Sequence, residues 1–524
     1  MTSMECSSTE CKTTARKTVE SSTPQQMLQF IEQLQSQTVE RTLKAAQDGN
    51  SFDEGERQIW ASVKEMGFQL VELFICCQGT GDLGKEVTTE DERTLKQNAE
   101  PSNTTIRSIF GTHHFKQCAY STGEKKKIEL RPISARMQLP ENGWSYLLQE
   151  FSQMFCVDQA FNQAARNLET VLDSTFSVDT LEQTTFRMGG EAGEFLAKLP
   201  VPKRKSEKTI LVASADCKGV PLIKEDSAPV AAFETRRKQP GNRRMATVAS
   251  VYTVDRYERT PEDIVEALFR ETPDELDRIK RPRPTNKHTT AHLPTQFLDG
   301  DTQVQISCIH EGISWLAAQV HRRHKKGQEL VLLMDGQEAL WSTAELNLSD
   351  VQSNTTQILD ILHVSQYVWE AAALFKASQP DRKEFARERL LKILQGNVSG
   401  VVRGLRRMGT MSQLKGEKLK ELNRICGYLE KNQHRMQYDR YLAAGYPIAS
   451  GVIEGACAHL VKDRMERSGM RWTLEGARSM LNVRAAFQSD YWRRFCDQRI
   501  VNLKKKAYPH INLIKDYKPL ALTC

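Results

Sequence analysis

At 524 residues the chain is too long for one ordinary hydrophobic core, so we expect several structural units. Hydrophobic residues make up 39% and charged residues 27% of the sequence, which is typical of a globular protein and excludes a disordered one. No apolar run approaches the roughly 20 residues that cross a bilayer. The N-terminus lacks the basic and apolar regions of a signal peptide, so a cytoplasmic protein is predicted.

The N-terminal part of the chain alternates between helical and extended patterns. Polar residues 1–22 predict a disordered tail, and apolar residues recur at helical spacing within 23–104. Short extended segments predict a small β-containing region at 105–143. Residues 144–200 are predicted to be helical, with a turn at 173–177. This pair of helices is compatible with a DNA-binding helix-turn-helix, although an ordinary helical hairpin gives the same pattern.

The pattern changes to strands after the basic segment Val201–Lys205. An apolar run ends at Asp216, a tight turn is predicted at Cys217–Gly219, and a short strand is predicted at Val220–Ile223. With a third strand at Met245–Val254, these form an antiparallel meander. The next predicted elements are helices at Pro261–Phe269 and Ile313–His324, strands at Leu330–Asp335 and Thr356–His363, and a helix at Val364–Phe375.

This order of elements predicts an α/β fold with an RNase H-like mixed sheet as its core. The fourth strand is expected beside the first, which would bring Asp335 next to Asp216. No convincing strand pattern follows Phe375 before Glu454, so an all-helical insertion should interrupt the core. The predicted organisation is a tail at 1–22, helical DNA-binding units at 23–104 and 144–200 around a β-containing region at 105–143, the core at 201–369 and 446–500, the insertion at 370–445 and a basic C-terminal tail at 501–524.

The insertion concentrates the positive charge of the chain. The formal net charge is +7, yet residues 376–440 alone hold 16 Lys and Arg against 7 Asp and Glu, an excess of +9. Such a concentration favours binding of a polyanion through counterion release. The alternative is a solvated helical surface that is basic for solubility alone.

Three acidic residues lie where an RNase H-like fold could use them to hold metal ions. Asp216 and Asp335 end apolar strand patterns, and Glu454 begins a helix whose apolar face is expected to pack on the sheet and carry it inward. Mg²⁺ prefers carboxylate oxygens, and two such ions can activate water and stabilise the leaving 3′ oxygen of a phosphodiester. Asp216, Asp335 and Glu454 are therefore the predicted catalytic and metal-binding residues for two Mg²⁺ ions, for which Mn²⁺ is expected to substitute. Each acid could instead lie in an ordinary turn, since the chain has 66 acidic residues.

A second pair, Asp360 and His363, follows Asp335 in the sequence. At a strand–helix junction such a pair is commonly a helix cap and a packed imidazole. It could also orient a metal ligand or contact the scissile phosphate, so both residues are predicted as accessory active-site residues. Asp360 is also the alternative to Asp335 as the second metal ligand.

Basic stretches near the predicted core indicate a DNA channel around the acidic residues. Each stretch alone is more typical of a solvated surface, and only their number around the acids favours DNA. Trp472 lies among basic residues and could stack on an unpaired base. The predicted DNA-binding residues are Arg236, Arg237, Lys238, Arg243, Arg244, Arg322, Arg323, Arg403, Arg406, Arg407, Arg464, Arg471 and Trp472.

Several blocks of the sequence carry a resemblance to a known family. The blocks are Ala213–Pro221, Val251–Asp255, Arg259–Asp263, Met334–Trp341, Asp360–Val364 and Tyr446–Trp472. They resemble the ISKra4-type insertion-sequence transposases of bacteria, and the last block is the most specific because it is long and contiguous. The similarity covers most of the chain and is weakest before residue 50. One difference from the family is Cys217, where a glycine is expected.

This resemblance implies a DDE transposase of the Mutator-like group. The implied catalytic triad is Asp216, Asp335 and Glu454. Asp360 and His363 correspond to an acid–histidine pair found in that group. Such an enzyme binds the terminal inverted repeats of its insertion sequence, cleaves the DNA and transfers the freed 3′-OH ends into target DNA. The implied partner is double-stranded DNA, on which a homodimer or higher oligomer assembles in the bacterial nucleoid, without a membrane. The alternatives are an inactive or captured transposase that only binds DNA, and an RNase H-fold DNA nuclease without strand transfer.

Overall fold

The chain forms two compact units of mixed α/β structure. Among the described helices, none is both long enough and apolar enough to cross a membrane. The computed structural model describes residues 17–226, 242–270, 281–299, 302–351, 355–467 and 469–520. Unit 1 consists of Met1–Cys156, Phe161–Leu181 and Cys496–Cys524, and unit 2 of Val157–Ala160 and Glu182–Phe495.

Unit 1 begins with two long helices, α1 (Pro24–Gln47) and α2 (Phe52–Cys76). Both start with a capping box, in which Thr23 and Ser51 accept hydrogen bonds from backbone amides of the first turn. The elements that follow are β1 (Glu86–Thr88), β2 (Thr94–Gln97), β3 (Ser102–Ser108), β4 (Gly111–Gln117), β5 (Tyr120–Ser121), β6 (Ile128–Leu130), α3 (Pro132–Met137), α4 (Tyr146–Cys156) and α5 (Phe161–Leu172).

The strands of unit 1 form two antiparallel sheets, one in the order β1-β2-β5-β6 and one made of β3 and β4. The region 23–104, predicted from its helical spacing, contains α1 and α2, but β1, β2 and the start of β3 also lie within it and were not predicted. Leu95 is the one buried residue of β2, and no residue of β1 is buried. Strands this short and this exposed leave no apolar alternation for a sequence pattern to detect.

Unit 2 is built on a mixed sheet, of which five strands are described. β7 (Ile210–Pro221), β8 (Arg243–Val254) and β9 (Thr285–His292) are antiparallel neighbours. β12 (Glu329–Met334) runs parallel to β7, and β13 (Thr355–Leu359) runs parallel to β12. The expected pairing of the fourth core strand with the first is confirmed, because β12 lies beside β7. The strand order across the sheet is β13-β12-β7-β8-β9. A separate hairpin is formed by β10 (Thr295–Asp299) and β11 (Thr302–Ile306).

Three details of the predicted strand pattern are wrong. β7 continues through Asp216 to Pro221 and pairs with β8 over its whole length, so no turn divides it. The apolar pattern stops at Asp216 because the next positions are half exposed, although their backbone pairing continues. The third antiparallel strand is β9, whose polar sequence gave no strand signal. β13 ends at Leu359, because Asp360 caps a helix instead of extending the strand.

The remaining helices belong mainly to unit 2, apart from the start of the first and most of the last, which belong to unit 1. α6 (Val178–Ala197) begins after the turn expected at 173–177 and continues from unit 1 into unit 2. The helix-turn-helix role of residues 144–200 stays a prediction. The helices from there on are α6 (Val178–Ala197), α7 (Pro261–Phe269), α8 (Cys308–Arg323), α9 (Glu338–Asn347), α10 (Ile361–Phe375), α11 (Gln379–Leu394), α12 (Val398–Met411), α13 (Gly416–Lys431), α14 (Tyr438–Ala443), α15 (Gly451–Ala456), a π-helical turn at Cys457–Lys462, α16 (Asp463–Met465), α17 (Leu474–Gln488) and α18 (Trp492–Ala507).

The segment between α10 and α15 contains four α-helices and no strand, and all of its residues are described. Its buried Leu390, Ile425 and Leu429 belong to the same hydrophobic cluster as Val331 and Ile358 of the sheet. The insertion is therefore an integral part of unit 2 rather than an appended body.

Shortening a core side chain of the insertion should destabilise the sheet to which it is joined. We expect Leu429→Ala, at a position that is 0% exposed, to lower the free energy of unfolding of unit 2 by about 2–5 kcal/mol. Leu419→Ala, on the same helix but 40% exposed, should have little effect. Urea denaturation followed by tryptophan fluorescence measures both. Equal effects would contradict a core shared by sheet and insertion.

Candidate metal centre

Three aspartates lie in one row across neighbouring parallel strands. The register of β7 and β12, continued three residues beyond its last pair, aligns Asp216 with Asp335. The register of β12 and β13, continued by one residue, aligns Asp335 with Asp360. The backbone N–H of Asp360 also donates to the Met334 carbonyl at 2.9 Å, which extends the ladder. Adjacent strands lie about 5 Å apart, so the row brings the three carboxylates close together.

Asp360 is a fully buried member of this row. Its Oδ1 caps α10 by accepting a hydrogen bond from the Leu362 N–H at 2.9 Å. Its Oδ2 accepts a hydrogen bond from the hydroxyl of Ser450. Because Ser450 lies one helical turn before Glu454, this bond holds the start of α15 against the end of β13 and brings Glu454 to the row.

Glu454 and His363 complete a cluster around Asp360. One potential ligand atom from each of these three residues lies within 4.8 Å of the other two. His363 is placed by the first turn of α10, where it follows Asp360 by three residues. Two carboxylates and an imidazole in this space can bind a divalent cation.

Asp216 contacts the same helical segment from the centre of the sheet. Its Oδ1 accepts a hydrogen bond from the Cys217 N–H at 2.7 Å. Its Oδ2 lies 3.4 Å from the Cys457 thiol, which donates to it one turn after Glu454. The helix that carries Glu454 therefore passes directly over Asp216.

The predicted triad is only partly brought together at ligand distance. Among the described residues, the group within 4.8 Å contains Glu454 but neither Asp216 nor Asp335. Glu454 is less buried than predicted: Ile453 and Cys457 are buried, whereas Glu454 lies at the exposed edge of the helix with its carboxylate near Asp360. The π-helical turn that follows interrupts the regular helical spacing on which that expectation depended.

The acids repel one another electrostatically. Burial raises the pKa of Asp335, and the charges of Asp216 and Asp360 raise it further. Burial also raises the pKa of Glu454, with the charges of Asp360 and Asp216 adding to the effect. The imidazole of His363 lowers the pKa of both groups. A bound cation would relieve the same repulsion, so this donor set fits a hard divalent metal ion.

Of the nine described basic residues that were predicted to contact DNA, six lie at the surface. Arg244 is half-buried, and two of the exposed side chains form ion pairs, Arg243 with Glu466 at 2.8 Å and Arg406 with Glu430 at 2.6 Å. The predicted positions Arg236, Arg237 and Lys238 lie outside the described residues. The exposed members of the set are Arg243, Arg322, Arg403, Arg406, Arg407 and Arg471.

Three of the predicted DNA contacts are buried in unit 2. Arg323 is 0% exposed and pairs with Glu207 at 3.1 Å. Arg464 is also 0% exposed, and its guanidinium lies 4.7 Å from the ring centre of Trp472, which is itself 7% exposed. These side chains pack in the interior, so they do not form part of the predicted DNA surface. Sequence composition could not separate them from exposed residues, because burial is decided by packing.

Sequence reasoning missed Ser450 and Cys457. Ser450 connects the start of α15 to Asp360, and Cys457 connects the turn after α15 to Asp216. Both lie one turn from Glu454, so helical spacing was the only available signal.

The sequence matches no known family profile and no curated protein, so the resemblance to transposases stays a prediction.

Removing one acid should stabilise the metal-free protein. Because the pKa of Asp335 is higher in the folded protein than its ordinary value of 3.8, the protonated side chain favours the folded state. The stability that protonation contributes is fully present below pH 3.8 and is lost as pH rises through the folded pKa. At neutral pH in EDTA, Asp335→Asn should therefore gain about 1 kcal/mol of stability over the wild type. Added Mg²⁺ should stabilise the wild type and not the variant.

Thermal unfolding with EDTA or Mg²⁺ measures both effects. Asp350→Asn is the control, because its side chain is 65% exposed and pairs with His321 away from the row. A variant that is less stable than the wild type in EDTA would contradict the repulsion described above.

Proposed function

We propose that the protein is a Mg²⁺-dependent DDE transposase with an RNase H-like catalytic core. It binds the terminal inverted repeats of its insertion sequence, cleaves the DNA at both ends and joins the 3′-OH ends to target DNA. The row of carboxylates at Asp216, Asp335 and Asp360, with Glu454 beside it, is the observation that carries this proposal. The sheet order β13-β12-β7-β8-β9, with three antiparallel and two further parallel strands, is the arrangement expected of that core and supports it.

Asp216, Asp335 and Glu454 would hold the metal ions, with Asp360 and His363 beside them. Both carboxylate oxygens of Asp360 already accept hydrogen bonds, from Leu362 and Ser450. For Asp335 one such bond is described, from the Gln337 N–H to Oδ1 at 2.9 Å. This difference favours Asp335 over Asp360 as the second metal ligand. Bound Mg²⁺ would supply an activated water and stabilise the leaving oxygen.

The proposed chemistry consists of two phosphoryl transfers without any oxidation or reduction. In the first, water attacks the phosphorus at the element end, and the P–O3′ bond breaks to leave a 3′-OH and a 5′-phosphate. In the second, that 3′-OH attacks a target phosphodiester, forming a new P–O bond and releasing a target 3′-OH. The described carboxylates position the reacting groups and hold no covalent intermediate.

DNA binding is proposed for the N-terminal helices and for the insertion, in a homodimer or higher oligomer assembled in the nucleoid. Arg403 and Arg407 support this role, because both are exposed and lie one turn apart on α12. No ion pair is described for either residue in the part of the chain that the structure covers. Several neighbouring cations are ion-paired with acids, as Lys420 is with Glu417 at 3.0 Å, so Arg403 and Arg407 are the better candidates for phosphate contacts.

Loss of a metal-binding carboxylate should abolish cleavage without abolishing DNA binding. We expect Asp216→Asn and Asp335→Asn each to reduce cleavage of DNA that carries the element ends by about a thousandfold or more, because transition-state charge loses its stabilisation. Asp255→Asn is the matched control, since this acid follows the end of β8 but is 46% exposed and pairs with Lys208. The assay combines element-end DNA, target plasmid and Mg²⁺, with gel-shift binding measured in parallel.

The products of this assay also separate the alternatives. Joined products from the wild type support a transposase, whereas cleavage without joining would identify an RNase H-fold nuclease. Binding without cleavage by the wild type would identify an inactive DNA-binding protein. Full cleavage by Asp216→Asn would contradict the proposed metal centre.

Removal of the two exposed arginines of α12 should weaken DNA binding and its dependence on salt. If each contacts one phosphate, the double variant Arg403→Ala/Arg407→Ala should lower the slope of log affinity against log salt by about 2. Lys420→Ala is the control, because this cation is 77% exposed but ion-paired. Fluorescence anisotropy at several salt concentrations measures the slopes. An unchanged slope in the double variant would exclude α12 from the DNA surface.

A further inference from the structure

We propose that Tyr428, on helix α13 of the insertion, is a positioning residue that holds Asp335 in the geometry needed for metal binding. The metal-binding part of this inference rests on the proposed function. Tyr428 does not touch the carboxylate itself. It acts through Gly336, the residue that follows Asp335 at the end of β12.

The contact between Tyr428 and Gly336 is close. Burial raises the pKa of the Tyr428 phenol, and the nearby Gly336 N–H opposes that rise. A Cβ atom added to Gly336 would lie 2.2 Å from Cε2 of Tyr428 and 2.6 Å from its phenolic oxygen, which no real side chain could occupy. Glycine is therefore required at this position by the approach of the ring.

The ring of Tyr428 is itself held in place. It stacks on Tyr367 with a centroid distance of 3.7 Å and an interplanar angle of 5°. The guanidinium of Arg424 lies 4.7 Å from the Tyr367 ring centre and pairs with Glu370 and Glu421. Tyr367 lies one turn after His363 on α10. The stacked pair thus connects the insertion to the helix that carries Asp360 and His363.

The turn at Asp335 has further fixed contacts. Its Oδ1 accepts the Gln337 N–H, and the indole of Trp341 donates to the Asp335 carbonyl at 2.6 Å. Arg435 of the insertion lies over the Trp341 ring at 4.2 Å and pairs with Glu345 at 3.1 Å.

Repulsion from Asp216 and Asp360 would otherwise favour rotation of Asp335 away from the row, since the strand register places an aspartate on either side of it. A backbone held on both sides of Asp335 opposes that rotation. Tyr428 supplies the hold on the Gly336 side, where its ring and phenolic oxygen lie against the backbone of Gly336. The insertion thereby contributes to the catalytic geometry as well as to DNA binding.

Three variants test this role. Tyr428→Phe keeps the ring and removes the phenolic oxygen that lies against Gly336, and should weaken Mn²⁺ binding about tenfold, as loss of a contact behind a metal ligand typically does. Gly336→Ala should weaken Mn²⁺ binding as well, because its Cβ displaces the ring. In a Tyr428→Ala background the Gly336→Ala change should cost much less, since the obstructing ring is gone. Electron paramagnetic resonance of free Mn²⁺ measures the affinity.

A second measurement uses the metal-free protein. Hydrogen exchange of the segment 335–341 should be faster in Tyr428→Phe, because the phenolic oxygen near the Gly336 N–H has been removed. Tyr441→Phe is the matched control: its hydroxyl donates to the Gln357 carbonyl at 3.1 Å on β13, so another tyrosine hydroxyl is lost without a contact to Gly336. It should alter neither Mn²⁺ affinity nor exchange at 335–341.

The outcomes distinguish this role from the proposed function. Unchanged Mn²⁺ affinity and unchanged exchange in Tyr428→Phe would overturn the positioning role while leaving the metal centre in place. A wild-type protein that binds no Mn²⁺ would overturn the metal centre. Faster exchange in Tyr428→Phe would then still support the Gly336 contact as a structural one.

Discussion

The structure of the candidate site depends on the register of three parallel strands. Because β7, β12 and β13 pair as they do, Asp216 is aligned with Asp335 and Asp360, the residues that follow β12 and β13, although 144 residues of sequence separate the first from the last. A slip of one residue between β7 and β12 would turn alternate side chains to the opposite face and remove Asp335 from Asp216. The buried apolar residues of β12 prevent such a slip, since they would lose their places in the core.

This alignment has an electrostatic cost that the neighbouring contacts offset only in part. Asp360 is compensated by the Leu362 amide and the Ser450 hydroxyl, and Asp335 by the Gln337 amide. Those bonds lower the pKa of each acid, but burial still raises both. A site in which hydrogen bonds orient carboxylates without neutralising them is suited to bind a cation. The same property makes it a source of instability when no cation is bound.

The helical insertion connects surface charge to the sheet. Its apolar residues share a core with β12 and β13, and the hydroxyls of Tyr438 and Tyr441 donate to the carbonyls of Leu359 and Gln357. These bonds satisfy backbone groups of β13, which is an edge strand of the sheet. Through Tyr428 the insertion also reaches the residue after Asp335. The segment proposed to bind DNA is thereby in contact with the residue that follows Asp335.

The amino-acid sequence by itself determined the elements whose hydrophobic pattern is strong. β12 followed by Asp335, the helical character of the insertion and the excess of positive charge could all be predicted, because apolar periodicity and charge are local properties of a chain. The course of β7 beyond Asp216, the polar strand β9 and the small strands of unit 1 could not, since backbone pairing continues where side-chain patterns stop. Tertiary structure alone decided that Arg323, Arg464 and Trp472 are buried, that Ser450 docks against Asp360, and that Tyr428 lies on Gly336. Each of these is a contact between residues distant in sequence, and which distant surfaces meet is decided by the packing of the whole unit.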